Sequence, residues 1–230
     1  EEYETLKYAY RALGIEYEEL SPVADLPDEV FTADLGHAEK KMYIKANFKY
    51  PERVKEADRG EQYFREKGFE IKTLPDGIFF EGGDVLKIGD RYFFGYGKRS
   101  SKEARPVLEE ILHSAVIPIE LSDEMYCHLD TCFAPLNAEI ALINHRALTD
   151  EGLETLRAEF TTIIETTEED NKNLVCNLTT FEKDLVIGAG ISFELKDHLI
   201  ALGFRIITVP MSEYLKGGGG VHCVSMEVWG

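Results

Sequence analysis

The chain has 230 residues, 44% of them hydrophobic and 30% charged, enough to bury a substantial core in one large domain or two small ones. Its 43 acidic and 25 basic residues give a formal charge of −18, which argues against a nucleic-acid partner and mildly favours a cationic one. No apolar run approaches the ~18 residues of a membrane span and no signal-peptide pattern opens the sequence, so a cytoplasmic protein without a membrane partner is expected.

Along the chain one phrase recurs: an amphipathic helix ends at a small residue, then a short run of alternating apolar residues reaches a Pro or Ser beside an acid. The first copy is a helix over 4–13 and a strand over 14–22. The others pair helix 52–67 with strand 68–76, helix 102–113 with strand 114–123, helix 150–160 with strand 161–167, and helix 194–202 with strand 203–213. Hairpin-like segments lie between them at 41–46, 83–88 with 92–97, Phe133 with 140–144, and 174–178 with 185–188. Near the end, four glycines (Gly217 to Gly220) precede His222-Cys223 and a strand predicted over 224–229. Such a run is costly in backbone entropy, and it suits a chain that must bend through positive φ or pass very close to something. The repeat unit is strand–strand–helix–strand, roughly 45–50 residues long. Five units can close into a ring if the first and last share one. An α/β fold is therefore expected, weighed against an independent βαβ sandwich. It is a five-fold pseudo-symmetric propeller of ββαβ units over residues 1–230 as one catalytic domain. Its first unit is incomplete at the N-terminus and is closed by the C-terminal strand.

In such a ring the loops after each helix-following strand emerge at one end, near the axis. They carry Asp28 and Asp34, then Glu81, then His128 and Asp130, and finally Cys223. Singly, each has a plain structural reading: His128 as a hydrogen-bonded histidine, Cys223 as a buried inert thiol, Asp34 and Asp130 as turn caps, and Glu81-Gly-Gly-Asp84 as a hairpin turn. Together, a cysteine, a histidine and an orienting carboxylate form a set for nucleophilic catalysis. Further carboxylates suit acyl transfer poorly, because its transition state develops negative charge and needs donors. They suit a planar cation rich in N–H groups, and a guanidinium fits. Of the four cysteines (127, 132, 176, 223) none forms a Cys-x-x-Cys pair. Cys127, His128 and Cys132 do not match zinc spacing, so reduced thiols with no metal and no cofactor are expected.

The stretches Pro27-Asp-Glu-Val-Phe-Thr-Ala-Asp34, Phe80-Glu-Gly-Gly-Asp-Val-Leu86, Gly97-Lys-Arg-Ser100, His128-Leu-Asp-Thr131 and Gly217 to Cys223 resemble the guanidino-group-modifying pentein superfamily. It contains arginine deiminase, arginine dihydrolase, dimethylarginine hydrolase and the amidinotransferases. The resemblance spans nearly the whole chain, with the motifs in the superfamily's order. It implies the pentein propeller fold and a small arginine-like substrate, and it leaves a homo-oligomer open. It also implies that Cys223 attacks the guanidinium carbon to give an S-amidino intermediate, that His128 moves the protons, and that Glu81 orients His128. Asp34 and Asp130 would grip the guanidinium nitrogens, Arg99 and Arg53 would hold the α-carboxylate, with a solvated helix residue the plain reading of Arg53, and Asp28 and Phe31 would line the pocket; His222 has no role. Members usually carry a strand and a loop upstream of the first helix, with no counterpart here before Glu1. An acid at the position of Asp130 is typical of deiminases, dihydrolases and amidinotransferases, and often absent from dimethylarginine hydrolases. The dihydrolase group typically reads Phe-Thr-Ala-Asn where this chain has Asp34. The expectation is therefore hydrolysis of arginine or a close derivative to ammonia and a citrulline-type product. The alternatives are dimethylarginine hydrolysis, amidino transfer to an amine, dihydrolysis to ornithine, and a non-enzymatic ring.

Overall fold

The computed structural model describes residues 1–26 and 28–230; Pro27, which opens the first quoted motif, lies outside the described residues. Helix α1 (Glu2–Ala12) buries Leu6, Ala9 and Tyr10, with Glu2 and Glu4 at its positive end and Arg11 at its negative end. The strand predicted over 14–22 does not form. Ile15 and Tyr17 instead pack beside α1, and no described strand pairs with the segment to supply a ladder.

Four complete ββαβ units follow. The first is β1 (Gly36–Glu39), β2 (Met42–Lys45), α2 (Val54–Glu66) and β3 (Glu70–Lys72); the second is β4 (Val85–Ile88), β5 (Arg91–Tyr96), α3 (Ala104–Leu112) and β6 (Val116–Glu120). The third is β7 (Phe133–Pro135), β8 (Ile140–Ile143), α4 (Asp150–Glu159) and β9 (Thr162–Glu165). After the short α5 (Glu168–Lys172) comes the fourth: β10 (Thr179–Phe181), β11 (Asp184–Gly188), α6 (Phe193–Ala201) and β12 (Arg205–Val209). In each unit the first two strands pair antiparallel, and the helix carries the chain back to lay the third strand parallel to the second. The chain ends with α7 (Ser212–Lys216) and β13 (Val228–Trp229).

The C-terminal strand closes the ring in a way the repeat did not foretell. It is shorter than predicted and pairs parallel with β1, placing Val228 opposite Ala38 and Trp229 opposite Glu39. It therefore adds a fourth strand to the sheet of the first complete unit instead of joining the segment after α1. Helix α1 covers β11 and β12, where Leu6, Ala9 and Tyr10 share a core with Val186, Val209 and Val221. Elsewhere apolar cores join neighbouring units. Phe93 of β5 lies 5.2 Å from Phe133 of β7 and 5.3 Å from Phe160 after α4, centroid to centroid.

The turn that leads into each unit's first strand is the recurring functional position. Thr32–Leu35, Gly82–Asp84 and Leu129–Thr131 are 3₁₀ turns ahead of β1, β4 and β7. The buried Asp84 ties two of them together, its Oδ1 accepting from the Leu129 backbone N–H at 2.9 Å and its Oδ2 from the Ser100 hydroxyl at 2.6 Å. Gly95 makes room for this bond, since a Cβ there would meet Asp84 Oδ1 at 2.6 Å. Burial pushes the Asp84 carboxyl up to about 7, despite His128 and these hydrogen bonds. Asp84→Ala would strand the Leu129 N–H and is expected to cost about 2–3 kcal/mol, read from the urea midpoint. The fold binds the Asp84 proton more tightly than the unfolded chain does. Its contribution is therefore fully present below the ordinary value of 3.8 and lost as the pH rises through about 7. Asp84→Asn is expected to gain stability relative to the parent across that window.

Candidate active site

The turns bring titratable side chains together from distant parts of the chain. His128 Nε2 lies 2.7 Å from Glu81 Oε2, and His128 Nδ1 lies 3.4 Å from Asp34 Oδ1. Asp34 Oδ2 accepts from Arg53 Nη1 at 2.9 Å. Asp130 Oδ2 lies 2.8 Å from His222 Nδ1 and accepts from Cys223 Sγ at 3.3 Å. Each of the three carboxylates thus has one oxygen committed. The other oxygen of each (Asp34 Oδ1, Glu81 Oε1 and Asp130 Oδ1) is buried without a hydrogen-bond partner. Buried acceptors without donors are costly and uncommon.

A cavity of about 70 Å³ opens here, lined by Asp28, Phe31, Asp34, Arg53, Arg99, His128, Gly217, Gly218, Gly219 and Cys223. The nucleophile and proton carrier expected from the sequence therefore face one space. Glu81 and Asp130 do not line it; they lie a layer deeper, in contact with His128 and Cys223 respectively. A wider cleft of about 350 Å³, lined by Lys49, Lys98 and Lys102 among others, shares Arg99 with this cavity but contains neither the thiol nor the imidazole.

The two arginines differ. Arg53 is buried, and besides Asp34 it donates from Nε to Glu56 at 2.8 Å and from Nη2 to the Asp28 carbonyl at 3.3 Å, over the Phe48 ring. It is neither a solvated helix residue nor, with Nε and both Nη nitrogens engaged, placed to clamp a substrate carboxylate; it anchors Asp34. Arg99 approaches Glu81 only to 3.9 Å and stacks over Tyr50, so its fork is much less committed.

Charge sets the resting protonation state. Burial works against a charged His128, but Asp34, Cys127 and Glu81 outweigh it and hold the imidazole well above its ordinary value. Burial likewise opposes Glu81, and the His128 bond overcomes it to keep that carboxyl below its usual range. Burial pushes the Cys223 thiol far up, and Asp130 and Asp34 push it further. The pair at rest is an imidazolium and a neutral thiol.

Sequence reasoning missed Asn177. Its Oδ1 accepts from the backbone N–H groups of Gly220 and Cys223, both at 3.0 Å, and its Nδ2 donates to Cys223 Sγ at 3.0 Å and to the Asp130 carbonyl at 3.2 Å. The strand predicted over 174–178 hid it; strand β10 begins only at Thr179, and Asn177 lies on the turn before it. The repeat was the available signal, since the fourth unit was the one whose turn lacked a polar residue in the predicted set. The close approach expected of the glycine run is to Phe31 and Asn177. A Cβ at Gly217 would meet Phe31 at 2.9 Å, one at Gly219 would overlap the same ring, and one at Gly220 would meet Asn177 Oδ1 at 2.9 Å. Gly218 has φ +86°. Cys132 is fully buried against the Leu129 carbonyl, and among the described residues no cluster of His, Cys, Asp or Glu has a metal-holding arrangement.

A ring of ββαβ units with Cys, His and carboxylates on its inner turns defines the guanidino-group-modifying penteins. The chain belongs to that superfamily and, within it, to the family described as "N,N dimethylarginine dimethylhydrolase, eukaryotic", whose profile matches residues 1–229. It is 32% identical to the bifunctional arginine dihydrolase/ornithine cyclodeaminase ArgZ of Synechocystis over 91% of this chain and 30% of that protein. It thus spans less than a third of that bifunctional relative. It is 31% identical to the N(G),N(G)-dimethylarginine dimethylaminohydrolase of Mycobacterium tuberculosis over 99% of this chain and 74% of that one. The solved N-terminal domain of ArgZ, bound to product, superposes with a TM-score of 0.94 at 28% identity, covering 99% of this chain and 85% of that one.

Because the thiol is held protonated, alkylation of Cys223 by iodoacetamide without ligand is expected to be slow at neutral pH. It should climb about tenfold per pH unit through pH 9 with no plateau, read by mass spectrometry. Asn177→Ala, which removes a donor to sulfur, is expected to slow it further.

Proposed function

We propose that this chain hydrolyses the guanidino group of arginine or a close arginine derivative, through a covalent intermediate on Cys223, releasing ammonia and a citrulline-type product. The observation that carries the reading is the set of three buried carboxylates beside one thiol and one imidazolium, each with an oxygen that makes no hydrogen bond. A guanidinium supplies the planar N–H groups that such acceptors require.

The reaction follows from the charges. The arriving cation offsets the carboxylates that hold the thiol protonated, so the Cys223 proton is released to solvent as substrate binds. Sulfur attacks the guanidinium carbon and forms a C–S bond. His128, already an imidazolium, gives its proton to the departing nitrogen, the C–N bond breaks, and ammonia leaves. The neutral His128 then takes one proton from water as the water attacks the S-amidino carbon; the C–S bond breaks, the remaining hydroxyl proton passes to the departing sulfur and restores the thiol, and a ureido product remains. Glu81 holds the imidazole in register throughout. Asp34 grips the nitrogens from the cavity wall and Asp130, a layer deeper beside the sulfur, takes the N–H nearest the thiol; Arg99 takes the α-carboxylate, Arg53 fixes Asp34, and Asp28 and Phe31 wall the pocket.

The family profile makes dimethylarginine the second reading. Arginine is favoured because methyl groups replace donors, and with Asp130 present an additional buried acceptor would stay bare. Incubation with arginine, mono- and dimethylarginine and agmatine, with ammonia, methylamines, citrulline and ornithine quantified, separates the readings. Citrulline and ammonia in equal amounts from arginine are expected. Methylamine release in place of ammonia would move the substrate to methylated arginine, and ornithine with two ammonia would make the chain a dihydrolase. Cys223→Ser is expected to lose activity on the order of 10³-fold or more; unchanged turnover in that variant would remove the mechanism.

A further inference from the structure

His222 is a polar group touching the site that the reaction above does not use. Its ring is largely buried, and Nδ1 lies 2.8 Å from Asp130 Oδ2. That same oxygen accepts from the nucleophile's sulfur at 3.3 Å. Asp130 Oδ1 is left buried and unpartnered. A carboxylate on one rotatable bond can present either oxygen to a ligand, or tilt both away, unless something holds it. Here the only side-chain donors to the Asp130 carboxylate among the described residues are His222 and the thiol itself. The thiol cannot serve as a permanent anchor, because its proton must leave when sulfur attacks.

We infer that His222 is a positioning residue: through its Nδ1–Oδ2 hydrogen bond it locks Asp130 so that Oδ1 remains available to a guanidinium N–H after Cys223 has given up its proton. The inference rests on the proposed guanidino chemistry and adds the element that keeps one of the grips in place during it. His222 is itself fixed, since its backbone N–H donates to the Asn177 carbonyl at 3.3 Å, on the turn that also clamps Cys223. The charged groups facing its ring are Asp130, Glu227 from the C-terminal segment and Asp34 from the turn before β1. Burial disfavours a charge on the ring, but these acids outweigh it and raise the His222 pKa. A protonated or Nδ1–H ring donates to Oδ2 in either case, so the bond survives titration of the imidazole.

The test separates a donor role from simple packing. His222→Phe keeps a ring of similar size without a donor, whereas His222→Asn keeps an N–H close to the position of Nδ1. In the Cys223→Ser background, arginine binding is measured by calorimetry; in the active background, KM and kcat are measured on whichever guanidino substrate is turned over. His222→Phe is expected to weaken arginine binding and raise KM by roughly 10-fold or more while kcat changes much less, as for loss of one hydrogen bond to a charged group present before and during reaction. His222→Asn is expected to stay within about threefold of the parent. Equal affinity and KM in the Phe variant with only a lowered melting temperature, or an Asn variant as impaired as Phe, would overturn the positioning role. Should the Phe variant fail to fold, ¹³C-labelled imidazole signals in Cys223→Ser, assigned by their loss in His222→Asn, decide the matter. The His222 signal is expected to shift when arginine binds, and an unmoved signal at saturation counts against the inference. If Cys223→Ser binds no arginine at all, it is the guanidino reading that fails, a result distinct from any of these.

Discussion

The structure turns on three buried carboxylates that are each half used. One oxygen of Asp34, Glu81 and Asp130 is tied to Arg53, His128 and His222 respectively, and the other makes no hydrogen bond, although Asp34 Oδ1 faces His128 Nδ1 at 3.4 Å. The tied oxygen fixes each group in place. The bare one keeps it hungry for N–H donors. An unfilled buried acceptor is destabilising, so the fold carries a local cost at this site that a multi-donor cation would relieve on binding.

The same cluster governs the nucleophile. Carboxylates that attract a guanidinium also hold the Cys223 proton in place, while they keep His128 charged. Under the proposed chemistry reactivity is coupled to occupancy: a ligand of the right charge would tip the thiol towards thiolate, with the imidazolium already loaded to protonate a leaving nitrogen. Around this, the neutral groups supply geometry. Asn177 binds the Gly220–Cys223 turn through both ends of its amide, and the glycines let that turn lie flat against Phe31.

Much of the arrangement was legible in the primary structure because it is periodic. The helix-then-strand phrase located α2, α3, α4 and α6 within a few residues, since their amphipathic spacing is a local property. It also put Asp34, Glu81, His128 and Cys223 on equivalent turns before any contact could be known. Where the periodicity was broken, the reading faltered. Residues 14–22 carry a strand pattern but find no strand to pair with, and 174–178 look extended yet form the turn that presents Asn177. Arg53 was indistinguishable from a solvated helix residue, because its burial depends on Asp34 and Glu56, neither adjacent to it along the chain.

By itself the sequence determined the kind of fold and the chemical inventory: the spacing of apolar residues is encoded locally, and so is the order in which Asp34, Glu81, His128, Asp130 and Cys223 follow one another. Only the tertiary structure decided the pairings, namely that β13 adds to β1, that Arg53 serves Asp34, that Asn177 holds the sulfur, and that His222 braces Asp130. Those are matters of distance and orientation between residues far apart in the chain, such as Asp130 and His222. They are fixed when the ring closes and excludes water, and local patterns carry no record of them.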